Sequence, residues 1–204
     1  ARKLDIPFYA LDYRKKFERT VLKNFRQEYL NGRTPNPCVR CNNWLKFGFL
    51  QEAAVALRTD AIATGHYVRR CFNESTRRWE LRRGAEGEDQ SYFLFTLSQE
   101  QLALARFPLD SMTKEKVREK AHSLHLPVHD KPGSTDLCFL PSGGYREVLR
   151  AQAPELFTPG PILHVSGQQL GRHDGIACYT VGQRRGLGIS WTEPLDVTEL
   201  DPQK

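Results

Sequence analysis

The chain has 204 residues, of which 26% are charged and 39% are hydrophobic, an ordinary balance for a globular protein. Its formal net charge is +6, from 30 lysines and arginines against 24 aspartates and glutamates, and such a positive field favours encounters with polyanions. No apolar run approaches the roughly 20 residues that span a bilayer, and no secretory signal is recognisable, so we expect a cytoplasmic protein without a membrane partner, or a piece of one.

The first part of the chain alternates a short apolar run with helical periodicity. Residues 8–11 are apolar and predict a buried strand. Apolar residues that recur every four positions predict a helix over residues 13–30, and Asn31 and Gly32 are typical of its C-terminal cap. Two prolines make residues 33–37 a loop.

A second helix and a second strand follow this loop. The helix is predicted over about residues 43–57, and the apolar run 61–64 predicts another buried strand. This order is typical of an α/β sheet with covering helices, in which ligands bind beyond the carboxyl ends of the strands. Gly65 and His66 follow the strand directly, so their position predicts a ligand contact. Residues 68–81 predict a hairpin.

The character of the sequence changes near residues 131–134. Before this point a capping box starts a helix at Ser98, and a further helix is predicted over residues 114–124. After it, prolines and glycines are frequent and the predicted strands are short. We therefore place a domain boundary here and assign residues 1–132 to an α/β domain and residues 133–204 to a small β-rich domain.

The β-rich part is expected to contain one helix and several hairpins. The helix is predicted over residues 144–151. Ser166–Gly167 and Asp174–Gly175 are dipeptides typical of hairpin turns, and both lie between apolar runs.

The chain has five cysteines, and three of them indicate chemistry. Cys38 and Cys41 form a Cys-x-x-Cys pair that opens the predicted helix, whose dipole would favour a thiolate at Cys41, while Cys138 lies far along the chain. No second pair or suitably spaced histidines support a zinc site. Cys71 and Cys178 are predicted to be structural residues within strands. Sulfur transfer, a thioredoxin-like redox pair and inert cysteines all remain open at this point.

Five short motifs follow one another along the chain. They are residues 32–42 (GRTPNPCVRCN), 63–67 (ATGHY), 89–94 (DQSYFL), 134–139 (STDLCF) and 179–189 (YTVGQRRGLGI). In sequence, order and spacing they resemble the motifs of the tRNA-specific 2-thiouridylases, and the resemblance covers nearly the whole chain.

The resemblance implies a fold, a reaction and partners. The fold would be the remainder of a Rossmann-like PP-loop domain, of the adenine nucleotide alpha hydrolase type, followed by a small central β-rich domain. The enzyme would use ATP with magnesium to adenylate the C2 oxygen of a wobble uridine in tRNA, then replace that oxygen with persulfide sulfur to give 2-thiouridine. Its partners would be the tRNA and a sulfur-relay protein or cysteine desulfurase.

The motif match also implies roles for single residues. Cys138 would carry the persulfide and Cys41 would be its partner nucleophile, which implies a Cys41–Cys138 disulfide as one state. Gly65 would contact ATP, because a missing side chain allows close approach. The target base and the rest of the tRNA would be contacted by Asn36, Pro37, Cys38, His66, Glu88, Asp89 and Gln90.

Three positions depart from the common pattern of the family. Cys38 stands where many members have aspartate, which opens an alternative in which Cys38, Cys41 and Cys138 are ligands of an iron–sulfur cluster. Glu88 replaces a usual lysine, which removes a phosphate contact. Gly133 stands where aspartate is common.

The resemblance finds neither the family's N-terminal pyrophosphate loop nor its C-terminal β-barrel in this chain. We therefore expect an internal fragment that is inactive on its own. Two interpretations from other classes remain. The chain could be a tRNA-binding module whose cysteines are structural, or a thiol–disulfide oxidoreductase that uses Cys38 and Cys41.

Overall fold

The structure is a computed structural model that describes residues 1–130, 137–142 and 144–202. The chain forms two compact units, the first made of Ala1–Val21 with Cys38–Gly133 and the second of Leu22–Pro37 with Ser134–Lys204. Each unit has its own cluster of buried apolar side chains. The domain boundary predicted near residues 131–134 lies outside the described residues, and it stays a prediction.

The α-helices are α1 (Arg14–Phe17), α2 (Lys23–Leu30), α3 (Pro37–Cys41), α4 (Leu50–Ala56), α5 (Gln99–Leu104), α6 (Lys114–Ser123) and α7 (Gly144–Gln152). Two π-helical segments, Glu18–Leu22 and Asn42–Phe49, join α1 to α2 and α3 to α4. Single 3-10 turns occur at Arg2–Leu4, Ser91–Leu94, Pro154–Phe157 and Ile176–Cys178. No helix of the described residues is long and apolar enough to cross a membrane.

The strands are β1 (Ile62–Ala63), β2 (Val68–Asn73), β3 (Arg78–Arg83), β4 (Ala105–Arg106), β5 (Gly160–Leu163) and β6 (Gln169–His173). They form three two-stranded sheets within the described residues. β1 pairs with β4 in parallel, whereas β2–β3 and β5–β6 are antiparallel hairpins. The strand predicted at 61–64 and the hairpin predicted at 68–81 are therefore confirmed, although within the strand only Ile62 is buried and Ala63 is exposed.

The helix predicted over residues 13–30 is confirmed, and so is its cap. Phe25 and Tyr29 are buried on the apolar face of α2. Gly32 follows with a φ of 67°, a conformation that glycine adopts without a steric penalty. The amides of Gly32 and Arg33 donate to the carbonyls of Tyr29 and Glu28, which closes the helix in a Schellman motif.

The predicted start of the second helix was wrong. The sequence predicts a start near residue 43, but α3 already begins at Pro37 and the helical chain continues to Ala56. Proline suits the first helical position, because its fixed φ is helical and its missing N–H would have no intrahelical acceptor there. The loop is accordingly shorter than predicted.

The strand predicted at residues 8–11 was also wrong. Phe8 and Tyr9 are 77% and 67% exposed, and the segment has no regular structure. A strand needs a neighbour for its backbone hydrogen bonds, and no strand among the described residues pairs with this run.

The core of the first unit lies beside the parallel pair. Phe47, Val68, Leu94, Leu97, Leu102, Ala105 and Phe107 form its buried cluster. The capping box predicted at Ser98 is confirmed, since its hydroxyl accepts from the amide of Gln101 and the Gln101 side chain accepts from the amide of Ser98. It starts α5, and Leu102 of this helix packs into the cluster.

The second unit confirms α7 and one of the two predicted hairpin turns. Ser166–Gly167 connects β5 and β6, with Gly167 at a φ of 88°. Asp174–Gly175 was wrongly predicted as a hairpin turn, because Gly175 instead approaches another backbone. A Cβ there would lie 2.3 Å from the carbonyl oxygen of Leu156. Cys178 follows in a 3-10 turn, not in the strand that was predicted.

Candidate functional site

The Cys-x-x-Cys pair lies on α3 in the first unit. Cys38 and Cys41 are three residues apart, so they lie one turn apart on the same face of the helix, and both are half-buried. Since the helix begins at Pro37, its first turn contains Cys38, and Cys41 comes after that turn. The dipole argument for a thiolate at Cys41 is therefore corrected, because the field of a helix end acts mainly within the first turn.

A buried amide fixes the helical chain directly after Cys41. Asn42 is only 3% exposed, and its Nδ2 donates to the carbonyl oxygen of Phe93 at 3.1 Å. Asn43 makes the same kind of bond to the carbonyl oxygen of Thr96, also at 3.1 Å. Two neighbouring side chains thus attach the helix that follows Cys41 to the end of the 89–94 motif and to Thr96, which follows it. Sequence reasoning did not single out either asparagine.

Gly65 and His66 follow β1, at the carboxyl end of the parallel pair, as predicted. The Nδ1 atom of His66 lies 2.8 Å from the hydroxyl of Thr64, and the ring packs beside Phe47 and Phe107. Burial of the ring, with a smaller effect of the positive charge of Lys46, lowers the pKa of His66 to about 4. The imidazole is therefore neutral at pH 7.

Gln90 holds the backbone that follows His66. Its side-chain Oε1 accepts from the amide of Tyr67 at 3.1 Å, and its own amide donates to the carbonyl oxygen of Tyr67 at 2.9 Å. Gly84 approaches the same carbonyl so closely that a Cβ would lie 2.4 Å from it. The 63–67 and 89–94 motifs are therefore joined by backbone contacts at Tyr67.

Asp89 organises the turn that contains it. Its carboxylate accepts from the amides of Gly84 and Ser91 and from the hydroxyl of Ser91, at 3.0, 3.2 and 2.8 Å. Burial would raise the pKa of Asp89, but these hydrogen bonds outweigh it, so the net pKa is lowered. Asp89 is thus a charged acceptor that already has protein donors.

Glu88 has a lysine partner that sequence reasoning missed. The Nζ atom of Lys114, the first residue of α6, lies 2.6 Å from Glu88 Oε2. The hydrogen bond to Glu88 raises the pKa of Lys114. No local sequence signal could have identified this pair, because the two residues lie far apart in the chain and meet only through the fold.

Cys138 lies in the second unit, at an exposed position of a tight turn. The amide of Leu140 donates to the carbonyl oxygen of Leu137 at 3.1 Å, which closes the turn around Cys138. Leu137 and Phe139 pack against the buried cluster of the unit, and the Phe139 ring lies 5.4 Å from that of Phe25. The two flanking side chains hold the turn, and the cysteine between them is exposed. The preceding residues of this motif, 134–136, lie outside the described residues.

The 32–42 motif also contacts the 179–189 motif within the second unit. The hydroxyl of Thr34 donates to the hydroxyl of Thr180 at 2.9 Å. Asn36 is half-buried and Pro37 is buried. Two motifs that are far apart in sequence therefore meet, which periodicity alone could not predict.

The predicted site residues divide between the two units. Cys38, Cys41, Gly65, His66, Glu88, Asp89 and Gln90 lie in the first unit, and Asn36, Pro37 and Cys138 lie in the second. The pairing of Cys41 with Cys138 and the three-cysteine cluster therefore stay predictions. Within the part of the chain that the structure describes, no group of three histidine, cysteine or acidic side chains could hold a metal ion.

Comparison with known proteins decides the family. Residues 1–142 match the family model described as the tRNA methyl transferase HUP domain, and residues 146–204 match the tRNA methyl transferase PRC-barrel domain. The chain is 49% identical over 204 residues to the tRNA-specific 2-thiouridylase MnmA of Rickettsia massiliae (strain Mtu5), covering 100% of this chain and 55% of that protein. The chain belongs to the tRNA-specific 2-thiouridylase family. A second 2-thiouridylase, from Rickettsia prowazekii (strain Madrid E), is 48% identical over 205 residues, 99% of this chain and 56% of that protein.

Membership in the 2-thiouridylase family confirms the predicted fold class. A HUP domain, which is the Rossmann-like PP-loop fold, precedes a small PRC-barrel-like domain. The chain spans about half the length of the curated 2-thiouridylases that it matches.

Proposed function

We propose that the protein carrying this chain transfers sulfur to C2 of a wobble uridine in tRNA, in an ATP-dependent reaction. The observation that carries the proposal is the turn at Cys138. Its flanking side chains pack against the core while Cys138 itself is exposed, in a chain that belongs to the 2-thiouridylase family. A cysteine kept for packing would be buried, so this geometry favours sulfur transfer over a binding module with structural cysteines.

The chemistry needs two thiols in succession. ATP adenylates the C2 oxygen of the uridine and releases pyrophosphate, which makes that oxygen part of a good leaving group. The terminal sulfur of a Cys138 persulfide then attacks C2 and AMP leaves. The Cys41 thiolate attacks Cys138 Sγ, so that a Cys41–Cys138 disulfide forms and the second sulfur stays on the base. A thiol reductant restores both cysteines, and a sulfur-donor protein or cysteine desulfurase supplies the next persulfide.

Gly65 is the residue we assign to ATP. It lies beyond the carboxyl end of β1, where nucleotides bind in such sheets. Among the residues that the structure describes, a Cβ added at Gly65 would meet only Leu109 Cδ1, at 3.7 Å, so these residues leave this side of the backbone open. This opening fits the family's use of ATP.

The Gly65→Ala variant tests this assignment. It should fold with nearly unchanged stability, because 3.7 Å is an ordinary van der Waals contact. Its affinity for ATP should fall if the nucleotide approaches the backbone here. Titration calorimetry with ATP measures the loss, and thermal unfolding of the same sample measures the stability. Unchanged ATP affinity in a folded variant would remove Gly65 from the nucleotide site.

The residues proposed to contact tRNA differ in whether their side chains already bind other groups of the protein. Asn36, Pro37 and Cys38 precede or begin α3 and are proposed to line the target base, which must leave its stack to be reached. His66 is proposed to meet the tRNA as a neutral hydrogen-bonding ring, since its pKa lies near 4. Glu88, Asp89 and Gln90 already have protein partners, so we propose that they position residues 88–94 for contact with the tRNA.

The names of the relatives and the descriptions of the family models refer to two different reactions. The relatives are named 2-thiouridylases, whereas the models are described as methyl transferase domains. The pair of thiols at Cys41 and Cys138 is what persulfide transfer requires, and it therefore favours thiolation. Mass spectrometry of the modified nucleoside separates thiouridine from methyluridine.

Serine substitution of single cysteines tests the reaction. In the full-length protein, Cys138→Ser and Cys41→Ser should each reduce 2-thiouridine formation by at least about a hundredfold, because a hydroxyl neither carries nor exchanges sulfur. The affinity for tRNA should change little. Nucleoside mass spectrometry after reaction with ATP and a sulfur donor measures the product.

Two other cysteines provide matched controls. Cys71→Ser and Cys178→Ser remove thiols that the proposal leaves unused, and both variants should keep thiolation. If Cys138→Ser thiolates tRNA as well as these controls do, the persulfide role is wrong.

The iron–sulfur alternative uses the same cysteines in another way. Cys38, Cys41 and Cys138 would then be ligands, and anaerobically purified protein would contain iron and acid-labile sulfide that Cys38→Ala loses. Iron-free protein that still thiolates tRNA would contradict this alternative and leave the persulfide relay.

A further inference from the structure

The hairpin formed by β2 and β3 holds a large share of the positive charge of the chain. Residues 68–83 contain six arginines and two glutamates, a net charge of +4 within a chain whose net charge is +6. Neither the 63–67 motif nor the 89–94 motif includes these arginines. The function proposed above therefore leaves this charge without a role.

The register of the hairpin places three of the arginines on one face. Arg69 pairs with Arg82 and Asn73 pairs with Arg78 across the two strands. Cys71 and Glu80 form the pair between them, and side chains of alternate residues point to the same face of a hairpin. Val68, of the opposite face, belongs to the buried core, so the face with Arg69, Arg78 and Arg82 is the outer one.

Arg70 shows what a structural arginine looks like in the same hairpin. Its guanidinium lies 3.7 Å above the ring of Trp79 and donates to the carbonyl oxygens of Leu102 and Ala103 at 2.7 and 2.8 Å. Burial, together with the charge of Arg106, lowers the pKa of Arg70. This side chain packs the hairpin onto α5 and is committed to the fold.

The arginines of the outer face do not attach the hairpin to another element, since Arg69 donates from Nε only to the carbonyl oxygen of Arg83 in the same hairpin, at 3.1 Å, within the described residues. The only acidic residue among the six paired positions, Glu80, accepts from Asn73 at 2.6 Å and from Arg82 at 2.9 Å. Within the described residues, neither Arg69 nor Arg78 lies within ion-pair distance of a carboxylate. All three arginines are exposed. Arg78 and Arg82 are separated by about 14 Å, four strand residues at about 3.4 Å each.

We propose that the outer face of the β2–β3 hairpin binds the phosphate backbone of the tRNA substrate. The proposal rests on the proposed function, because that function supplies the polyanion. Arginine suits phosphate, since its planar guanidinium donates two parallel hydrogen bonds to phosphate oxygens. The side chains between the arginines are those of Cys71, Asn73 and Glu80, which give the face no aromatic ring on which a base could stack. The face therefore positions the tRNA through its backbone and does not select a base sequence.

The test measures tRNA affinity as a function of salt concentration. A protein that contacts phosphates releases counterions on binding, at about 0.7 to 0.9 units of log–log slope per contact. In the full-length protein, R69Q/R78Q/R82Q should reduce the slope by about 2 to 3. Its loss of affinity relative to wild type should then shrink about tenfold between about 50 and 150 mM salt.

Two control variants are needed. One tests whether the charge of the face, and not the arginine side chains as such, sets the slope, and the other tests whether any loss of three positive charges has the same effect. R69K/R78K/R82K keeps the charges and should keep the salt slope of the wild type. R14Q/K15Q/R19Q removes three exposed charges elsewhere in the same unit, and its slope should also stay unchanged. The proposal is overturned if R69Q/R78Q/R82Q has the same salt slope as the wild type. It is also overturned if R69K/R78K/R82K, which keeps the charges, has a slope as low as that of the glutamine variant.

Thiolation by the same wild-type sample distinguishes the two proposals. If the protein thiolates tRNA but the hairpin variant keeps the full slope, only the assignment of the surface is wrong. If the wild type binds tRNA and the hairpin variant shows the expected loss of slope, but the wild type forms no thiouridine, the surface is supported and the sulfur-transfer function fails. If the wild type does not bind tRNA, both are overturned.

Discussion

His66 lies at the position that sequence reasoning selects for a ligand, but the environment of its ring changes what it can do. Thr64 contacts one ring nitrogen, Phe47 and Phe107 pack against the ring, and Lys46 adds a positive charge nearby. Burial of the ring, and to a smaller extent the charge of Lys46, disfavour the imidazolium, so the residue is a neutral donor or acceptor and does not contribute an ion pair to a phosphate. The sequence shows where the histidine is, whereas its protonation state depends on the packing around it.

The lowered pKa of His66 predicts acid-sensitive stability. Between pH 6.5 and about 4 the unfolded chain binds a proton at this ring and the folded chain does not, so the free energy of unfolding falls as pH falls through this window. The slope from a single site is at most about 1.4 kcal/mol per pH unit, and partial exposure of the ring reduces it. Urea unfolding at several pH values measures the effect.

A pair of histidine variants isolates this contribution. His66→Asn should flatten the fall of stability between pH 6.5 and about 4, because asparagine does not titrate there. His122→Asn, at an exposed position of α6, should leave the fall as it is in wild type. An equally steep fall in His66→Asn would show that the ring is not buried as a neutral group.

The elements of this chain differ in how well the sequence predicts them. The helix over residues 13–30 was predicted correctly because it has several periods of its apolar pattern and a cap at its end, and the β2–β3 hairpin was predicted correctly because turn-favouring residues lie at 73–75. β4 is only two residues long and directly follows α5, so no periodic signal identifies it. Residues 8–11 are as apolar as a buried strand but stay exposed, since an apolar run does not show whether a pairing partner exists.

Asn42 connects the π-helical segment Asn42–Phe49 to the 3-10 turn Ser91–Leu94, so its removal should lower the stability of the fold. Asn42→Ala leaves the carbonyl oxygen of Phe93 without its donor and creates a small cavity at a position only 3% exposed. We expect a loss of about 1–3 kcal/mol in the free energy of unfolding. Urea denaturation of wild type and variant measures it.

Asn43→Ala is the matched control for this prediction. Asn43 makes a backbone-directed bond of equal length, but it is only half-buried and water can replace the lost bond. Its variant should therefore lose less stability than Asn42→Ala. Equal losses would mean that burial of Asn42 adds nothing to the attachment between the helix and the 91–94 turn.

For the whole molecule, the motifs single out candidate site residues, whose roles stay predictions, but they do not predict the neighbours of those residues. Each predicted residue in the described chain could be located, and the contacts of Gln90 with Tyr67 and of Thr34 with Thr180 join motifs that lie far apart in sequence. The Lys114 partner of Glu88 and the charge of Lys46 near His66 depend on the folded backbone. The sequence identifies the candidate reactive residues, but it does not show which charged residues lie near them in the folded protein.

The turn at Cys138 separates two kinds of constraint on adjacent positions. Leu137 and Phe139 supply its packing, so a change at either position costs folding free energy. Cys138 is exposed, so its side chain contributes little to the packing of the turn. Under the proposed function, natural selection therefore retains residues 137 and 139 for stability and residue 138 for its sulfur atom alone, and a lineage that lost the reaction would be free to replace this cysteine while keeping both of its neighbours.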